Sequence, residues 1–211
     1  MAIITRNLAR MLRIACACLL VVSGAWGLAL SLRAATAQAL YKQAKYGVFL
    51  ETRLERPPTV DANQVLRLCR RAQGLYAANY YFPILASIRS LEVALQSTNR
   101  EEFLRAFGSA EHWNRVSMAL NPYNIEVMHV KCRILQERGD MAGAIAFWRD
   151  VVVEREFWNP QHHDILVELY LKAGDITQAI EASRYLRGGP TLKKVQMLEA
   201  RRKALRQKAK E

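Results

Sequence analysis

Apolar side chains in the second half of this chain recur at helical spacing and are punctuated by Gly-Asp pairs. Before Gly139, residues 125–135 place Val127 or Met128, Cys132 and Leu135 on one stripe. After it, Met141, Ala144, Ile145, Trp148, Val151 and Val152 form a second stripe at intervals of three, four and seven. The same sentence is written again downstream, with Leu166, Leu169 and Tyr170 before Gly174, and Ile176, Ala179, Ile180, Ser183 and Leu186 after it. The segments LQERGDMAGAI at 135–145 and YLKAGDITQAI at 170–180 are offset by 35 residues. A fixed period of this length with a turn between two helical stripes predicts an all-α array of stacked helix pairs. Gly139 and Gly174 are expected to end the first helix of each pair in the left-handed conformation, and Asp140 and Asp175 to cap the second. Ala144 and Ala179 occupy equivalent places where two helices must approach closely.

A different pattern opens the chain. Residues 14–32 run for 19 positions without a charge, preceded by Arg6, Arg10 and Arg13. As a helix this stretch is about 28 Å long, close to the hydrocarbon thickness of a bilayer. It predicts a transmembrane signal anchor, with residues 1–13 as a basic flank and residues 33–59 as a linker or juxtamembrane helix. The alternative is a signal peptide cleaved after Ala39, since Ala37-Gln38-Ala39 has the small-x-small form of a cleavage site. Nineteen apolar residues exceed the usual signal-peptide core, which favours the anchor. Arg33, Lys42, Lys45 and Arg53 follow the span, but the density of arginines close to it favours the amino terminus inside. The remainder is then expected outside the cytoplasm, on the periplasmic side of a bacterial inner membrane.

The repeated segments resemble tetratricopeptide repeats. Met128, Cys132, Leu135, Gly139, Ala144, Trp148 and Val151 fall at that family's positions in one copy. In the next, His163, Leu166, Val167, Tyr170, Gly174, Ala179 and Ser183 do so. Two departures mark the match as divergent. The first copy carries four extra residues, so that Asn121-Pro122 returns 38 residues later as Asn159-Pro160, and Ser183 stands where an aromatic is expected. A weaker third copy lies upstream, because LYAAN at 75–79 resembles LNPYN at 120–124. It predicts a helix from Val60 to Gly74, another from Tyr80 to Gln96 with Pro83 in its first turn, and a third capped by Thr98-Asn99. The stripe of that third helix is Phe103, Leu104, Phe107, Ala110, Trp113, Val116 and Leu120. The resemblance thus covers residues 60–190. It implies a non-catalytic protein-binding array whose ligand face is lined by the first helices, here by Glu126, His129, Arg133 and Gln136, then Asp164, Glu168 and Lys172. Their mixed charge suits an internal peptide segment or a folded surface better than a terminal carboxylate.

Composition changes the picture mainly through charge. Apolar residues make up 51% of the chain and the formal charge is +12, which by itself raises nucleic acid as a partner. Residues 51–192, however, carry seventeen basic and seventeen acidic side chains. The excess lies in the two tails, and no basic patch with interleaved aromatics occurs in the repeats, so no nucleic-acid platform is expected. Residues 191–211 read as a basic helix whose Leu192, Val195, Leu198 and Leu205 cover the end of the array. Its Arg201, Arg202, Lys203 and Arg206 suit contact with anionic lipid.

Candidate chemistry is sparse. There is no phosphate-binding glycine loop, no nucleophile elbow and no paired-cysteine metal motif, so no cofactor or metal is expected. His162-His163-Asp164 is the one suggestive cluster. Neighbouring helical residues diverge by about 100°, which makes a shared metal difficult. Cys69 and Cys132 fall on apolar stripes and read as buried free thiols. These features predict a membrane-anchored, non-catalytic adaptor. The resemblance to bacterial inner-membrane proteins with one span followed by tetratricopeptide repeats implies a cell-envelope complex concerned with assembly, secretion or polysaccharide. A soluble periplasmic binding module is the alternative if the amino terminus is cleaved.

Overall fold

In a computed structural model the described residues, 2–53 and 62–208, form helices joined by short turns, with no strand among them. Val60, the expected start of one helix, lies outside the described residues, as do the far end of the linker and the last three residues of the basic tail. The side chains of Leu205 and Arg206 are likewise not described. The chain divides into two compact units, Met1–Ser90 and Leu91–Glu211.

The amino-terminal unit is built on α1 (Ala2–Arg53) and α2 (Ala62–Leu75), followed by the start of α3 (Tyr81–Gln96). Helix α1 has two dissimilar halves. From residue 14 to 33 every side chain is exposed, including Leu20, Val21 and Trp26 at 72%, 71% and 68%. Beyond that point Ala37, Tyr41 and Ala44 are buried at intervals of four and three, and α2 supplies Val65, Cys69 and Ala72. The two stripes pack α1 against α2, and the small side chains at Ala37, Ala44 and Ala72 permit a close approach. The segment following the span is therefore a continuation of the same helix. Pro83 is accommodated near the start of α3, where its missing N–H costs no hydrogen bond.

The carboxy-terminal unit runs through α4 (Arg100–Leu120), α5 (Ile125–Glu137), α6 (Met141–Phe147), α7 (Pro160–Lys172), α8 (Ile176–Ser183) and α9 (Pro190–Lys208). Consecutive helices pack on each other, and α9 packs on both α7 and α8. The two Gly-Asp turns have the same geometry. Gly139 and Gly174 take φ of 83° and 79°. The N–H of Asp140 reaches the carbonyl of Leu135 at 2.9 Å, and that of Asp175 reaches Tyr170 at 2.9 Å. These are Schellman closures, which need a left-handed residue that only glycine adopts at little cost. Asp140 and Asp175 then accept from the N–H groups of Gly143 and Gln178 at 2.8 and 3.0 Å.

One core serves both repeats. Met128, Cys132, Ala144, Trp148, Val152, Leu166, Val167, Leu169, Tyr170, Ala179, Ala182 and Val195 form a single buried cluster. Val195 comes from α9, so the amino-terminal half of that helix closes the end of the array. Cys69 and Cys132 are buried free thiols, and burial pushes their pKa values up to about 12 and about 11.

Two local features differ from the periodic reading. The buried stripe of α4 is Phe107, Ala110, Asn114 and Ser117, while Leu104 and Leu120 are 57% and 39% exposed. The helix is rotated toward a polar contact, in which Asn114 Nδ2 donates to the carbonyl of Val127 at 3.0 Å. The Val127 carbonyl, already used within α5, serves as a second acceptor that satisfies the buried Asn114 amide, which would otherwise be costly to bury. Secondly, the extra residues of the first repeat are absorbed after α6 by a π-turn over Trp148–Val153, closed by Glu154 N–H to Arg149 O at 3.1 Å. Residues 154–158 follow as an exposed turn.

Candidate partner-binding groove

Asn124 and Asn159 start the two helices that carry the predicted face. Asn124 Oδ1 accepts from the N–H groups of Glu126 and Val127 at 2.9 and 3.2 Å. Asn159 Oδ1 accepts from Gln161 N–H at 3.1 Å, with Pro160 at the first helical position. Both are ordinary asparagine caps, and they set the register of α5 and α7. In that register Glu126, His129, Arg133, Glu168 and Lys172 are exposed, and Gln136 and Asp164 are half-buried. Lys172 Nζ donates to Gln136 Oε1 at 3.0 Å, linking the two helices across this face. Arg133 lies 3.9 Å from Glu137, one turn on. At the far end, Glu168 and Lys172 border a cleft of about 400 Å³ completed by Pro190, Thr191 and Lys194 of α9.

His129 joins this face to a second cleft, of about 570 Å³, at the boundary between the repeats. Its other walls are Asn121, Tyr123, Asn124, Glu156, Asn159 and His162. Trp148, wholly buried, is the wall behind them. Its ring lies 4.7 Å from His129 and 5.9 Å from His162, edge-on to the latter, and its Nε1 donates to the carbonyl of His162 at 2.9 Å. Since the Asn159 carbonyl oxygen is engaged in the cap, its amide Nδ2 faces His162 Nε2 at 3.2 Å as donor. The neutral ring then carries its proton on Nδ1, which makes no hydrogen bond and faces Glu156 Oε2 at 3.5 Å. His163 turns the other way, stacks on Tyr185 at 4.5 Å and meets the Phe157 carbonyl at 2.7 Å. The adjacent histidines thus diverge. Among the described residues, no group of three His, Cys, Asp or Glu side chains is placed to hold a metal.

Burial holds the pKa of both His129 and His162 below the ordinary imidazole value. Like charge from His162 adds to this at His129, and Glu126 opposes it; at His162, Glu156 opposes and His163 adds. A base with a depressed folded-state pKa favours the neutral form on folding. As pH falls through about 6.5 the unfolded chain takes up protons first, so stability is complete above that pH and declines below it. The melting temperature is therefore expected to be lower near pH 5.5 than near pH 7.5. In His129→Gln the difference is expected to shrink, because one depressed group is gone. A difference identical to wild type would show that His129 does not contribute.

No protein-family model matches this chain, and no curated protein matches it. Among solved structures it is similar to the crystal structure of a thermophilic tetratricopeptide-repeat protein from Thermus thermophilus. The TM-score is 0.58 at 17% identity, with 86% of this chain and 92% of that chain covered. The fold is tetratricopeptide-like. In this tetratricopeptide-like array Ala144, Trp148 and Ala179 are wholly buried and Tyr170 is 7% exposed. His162, Asn159, Glu156 and Tyr123 are the groove residues that periodicity passes over. Their signal was the Asn-Pro echo at 121 and 159, which marks both edges of the cleft. A repeat boundary looks like a mere connection until the helices on either side are placed.

Proposed function

We propose that this protein is a membrane-tethered, non-catalytic adaptor that holds another protein on the α5 and α7 face within a cell-envelope complex. The observation that carries the reading is the division of α1. Nineteen uncharged residues of an unbroken helix stand exposed, and the rest of that helix is packed into a folded unit. Each exposed Leu or Val would gain about 1.5–3 kcal/mol on leaving water, so the stretch as a whole strongly favours a bilayer. Retention of the span is favoured over cleavage after Ala39 by the burial of Ala37 on that helix. A cut there would remove Ala37 from the buried stripe of α1.

The arginines ahead of the span favour the repeats lying on the periplasmic side of a bacterial inner membrane. The tetratricopeptide-like architecture supports a binding role. The exposed, mixed-charge face of Glu126, His129, Arg133, Glu168 and Lys172 supports a peptide segment or folded surface as the bound partner. The basic α9 is a further candidate for anionic lipid.

Two measurements test this reading. Mass spectrometry of the mature chain is expected to find a Met1 or Ala2 end, whereas a start at Leu40 would establish the soluble form. A partner isolated by cross-linking in intact membranes should bind Arg133→Ala/Glu168→Ala at least about fivefold more weakly. Equal capture by wild type and variant would remove this face from the binding site.

A further inference from the structure

The turn after α2 lies at a height set by α1. The stripes Ala37, Tyr41, Ala44 and Val65, Cys69, Ala72 pack α1 on α2, and with Arg53 and Ala62 only nine positions apart in sequence we take the pair as antiparallel. The carboxy end of α2 is therefore beside the start of the packed part of α1. The rings of Tyr81 and Phe82, reached just after that turn, lie 6.1 and 5.5 Å from Tyr41, one helical turn beyond Ala37, so the chain has come back along α1 by that point. Ala37 is only five residues beyond Leu32, or about 7.5 Å along the helix. The polar layer of one leaflet is about 5–8 Å thick. A turn at the level of residues 34–37 is consequently at the depth of the lipid headgroups.

The composition of the turn fits that depth. Residues 75–79 present Tyr76, 45% exposed, with exposed Ala77 and Ala78 beside it. The turn is fixed by Tyr76 N–H to Ala72 O at 2.9 Å and Gln73 Nε2 to Ala77 O at 2.8 Å. Tyrosine is a residue that settles at the membrane–water boundary, with an apolar ring and a polar tip. On α1 and α2, Arg33, Arg70 and Arg71 are exposed. Residues 62–90 hold four arginines and no acidic side chain, so the neutrality of the repeat region as a whole conceals a basic end.

We propose that the α2–α3 turn, through Tyr76 with Arg33, Arg70 and Arg71, seats the amino-terminal unit on the anionic headgroup layer of the bilayer that α1 crosses. This rests on the reading of α1 as a retained span. It does not depend on which side of the membrane the unit occupies.

The test uses the full chain in vesicles of phosphatidylcholine with about one-fifth phosphatidylglycerol. In a Cys16→Ala/Cys18→Ala background, an environment-sensitive fluorophore is attached to Ala77→Cys, to Asn63→Cys or to Trp26→Cys. The two remaining thiols are buried and protonated, so they do not compete for label. Asn63 is thirteen residues before Tyr76 on α2 or just past its end, about 20 Å farther from the bilayer. A headgroup-attached quencher is expected to act at least about twofold more strongly at position 77 than at position 63. An acyl-chain quencher is expected to act at position 26. Because α1 sets the height, the 77 to 63 ratio should stay above one in Arg33→Gln/Arg70→Gln/Arg71→Gln. The emission at 77, in contrast, should shift toward its aqueous value in that variant, in Tyr76→Ser combined with those changes, and in about 1 M salt. Emission at 77 unmoved by all three would overturn the headgroup contact. Quenching at 26 with equal signals at 77 and 63 overturns the inference and leaves the anchor standing. No quenching at 26 overturns the anchor and the inference with it. Shielding of position 77 from aqueous iodide without lipid quenching would mean that a second copy covers the turn, which also overturns it.

Discussion

Trp148→Ala is expected to be the most damaging single substitution in the carboxy-terminal unit. Trp148 is wholly buried within the cluster shared by both repeats. Its removal takes away the largest side chain of that core and leaves a cavity that rigid helices on either side cannot close. The expected cost is about 3–5 kcal/mol, and the carbonyl of His162 loses the indole donor at the same time. For a chain of this size the melting temperature should fall by on the order of 10 °C. Trp148→Phe separates the two contributions, since it keeps most of the volume and loses the hydrogen bond, worth about 1 kcal/mol. Circular dichroism melts of the detergent-solubilised protein read both variants. A fall of under about 3 °C for Trp148→Ala would show that the two repeats do not depend on this residue for their packing.

Removal of residues 2–32 should have the largest effect on where the protein resides. These residues include the exposed apolar half of α1, while the buried stripe Ala37, Tyr41 and Ala44 remains. The truncated chain is expected to keep its helical circular dichroism and to pass from the carbonate-resistant membrane fraction to the soluble one. If the α2–α3 turn meets headgroups as proposed, the truncated chain should still sediment weakly with anionic vesicles and be released by salt, as a surface contact without an anchor would be. Carbonate resistance persisting after truncation would mean that something other than α1 holds the protein to the membrane.

Much of the array was legible because its signals are local. A glycine at φ near +80° and an aspartate one residue later act on their own backbone, so Gly139, Asp140, Gly174 and Asp175 could be assigned without knowing any neighbour. The stripes of α5 to α8 follow from the 3.6-residue period for the same reason. Helix α4 shows where periodicity stops being sufficient. Its buried stripe includes Asn114, whose amide finds its acceptor on another helix, while Leu104 stays exposed. The cleft around His162 was illegible on similar grounds, because it is enclosed by residues from two repeat boundaries and backed by a tryptophan from a third segment.

By itself the sequence determined the helical class, the two Gly-Asp turns, the apolar span and the distribution of charge, since each depends on residues close together in the chain. Only the tertiary structure decided that the apolar stretch continues unbroken into a helix packed on α2, that Lys172 meets Gln136 across α5 and α7, and that His129 and His162 share the wall of one cleft. Those relations depend on which helix faces which, and that is fixed by side-chain volume and the pairing of buried polar groups across the core. Neither is expressed in the spacing of residues along a single helix.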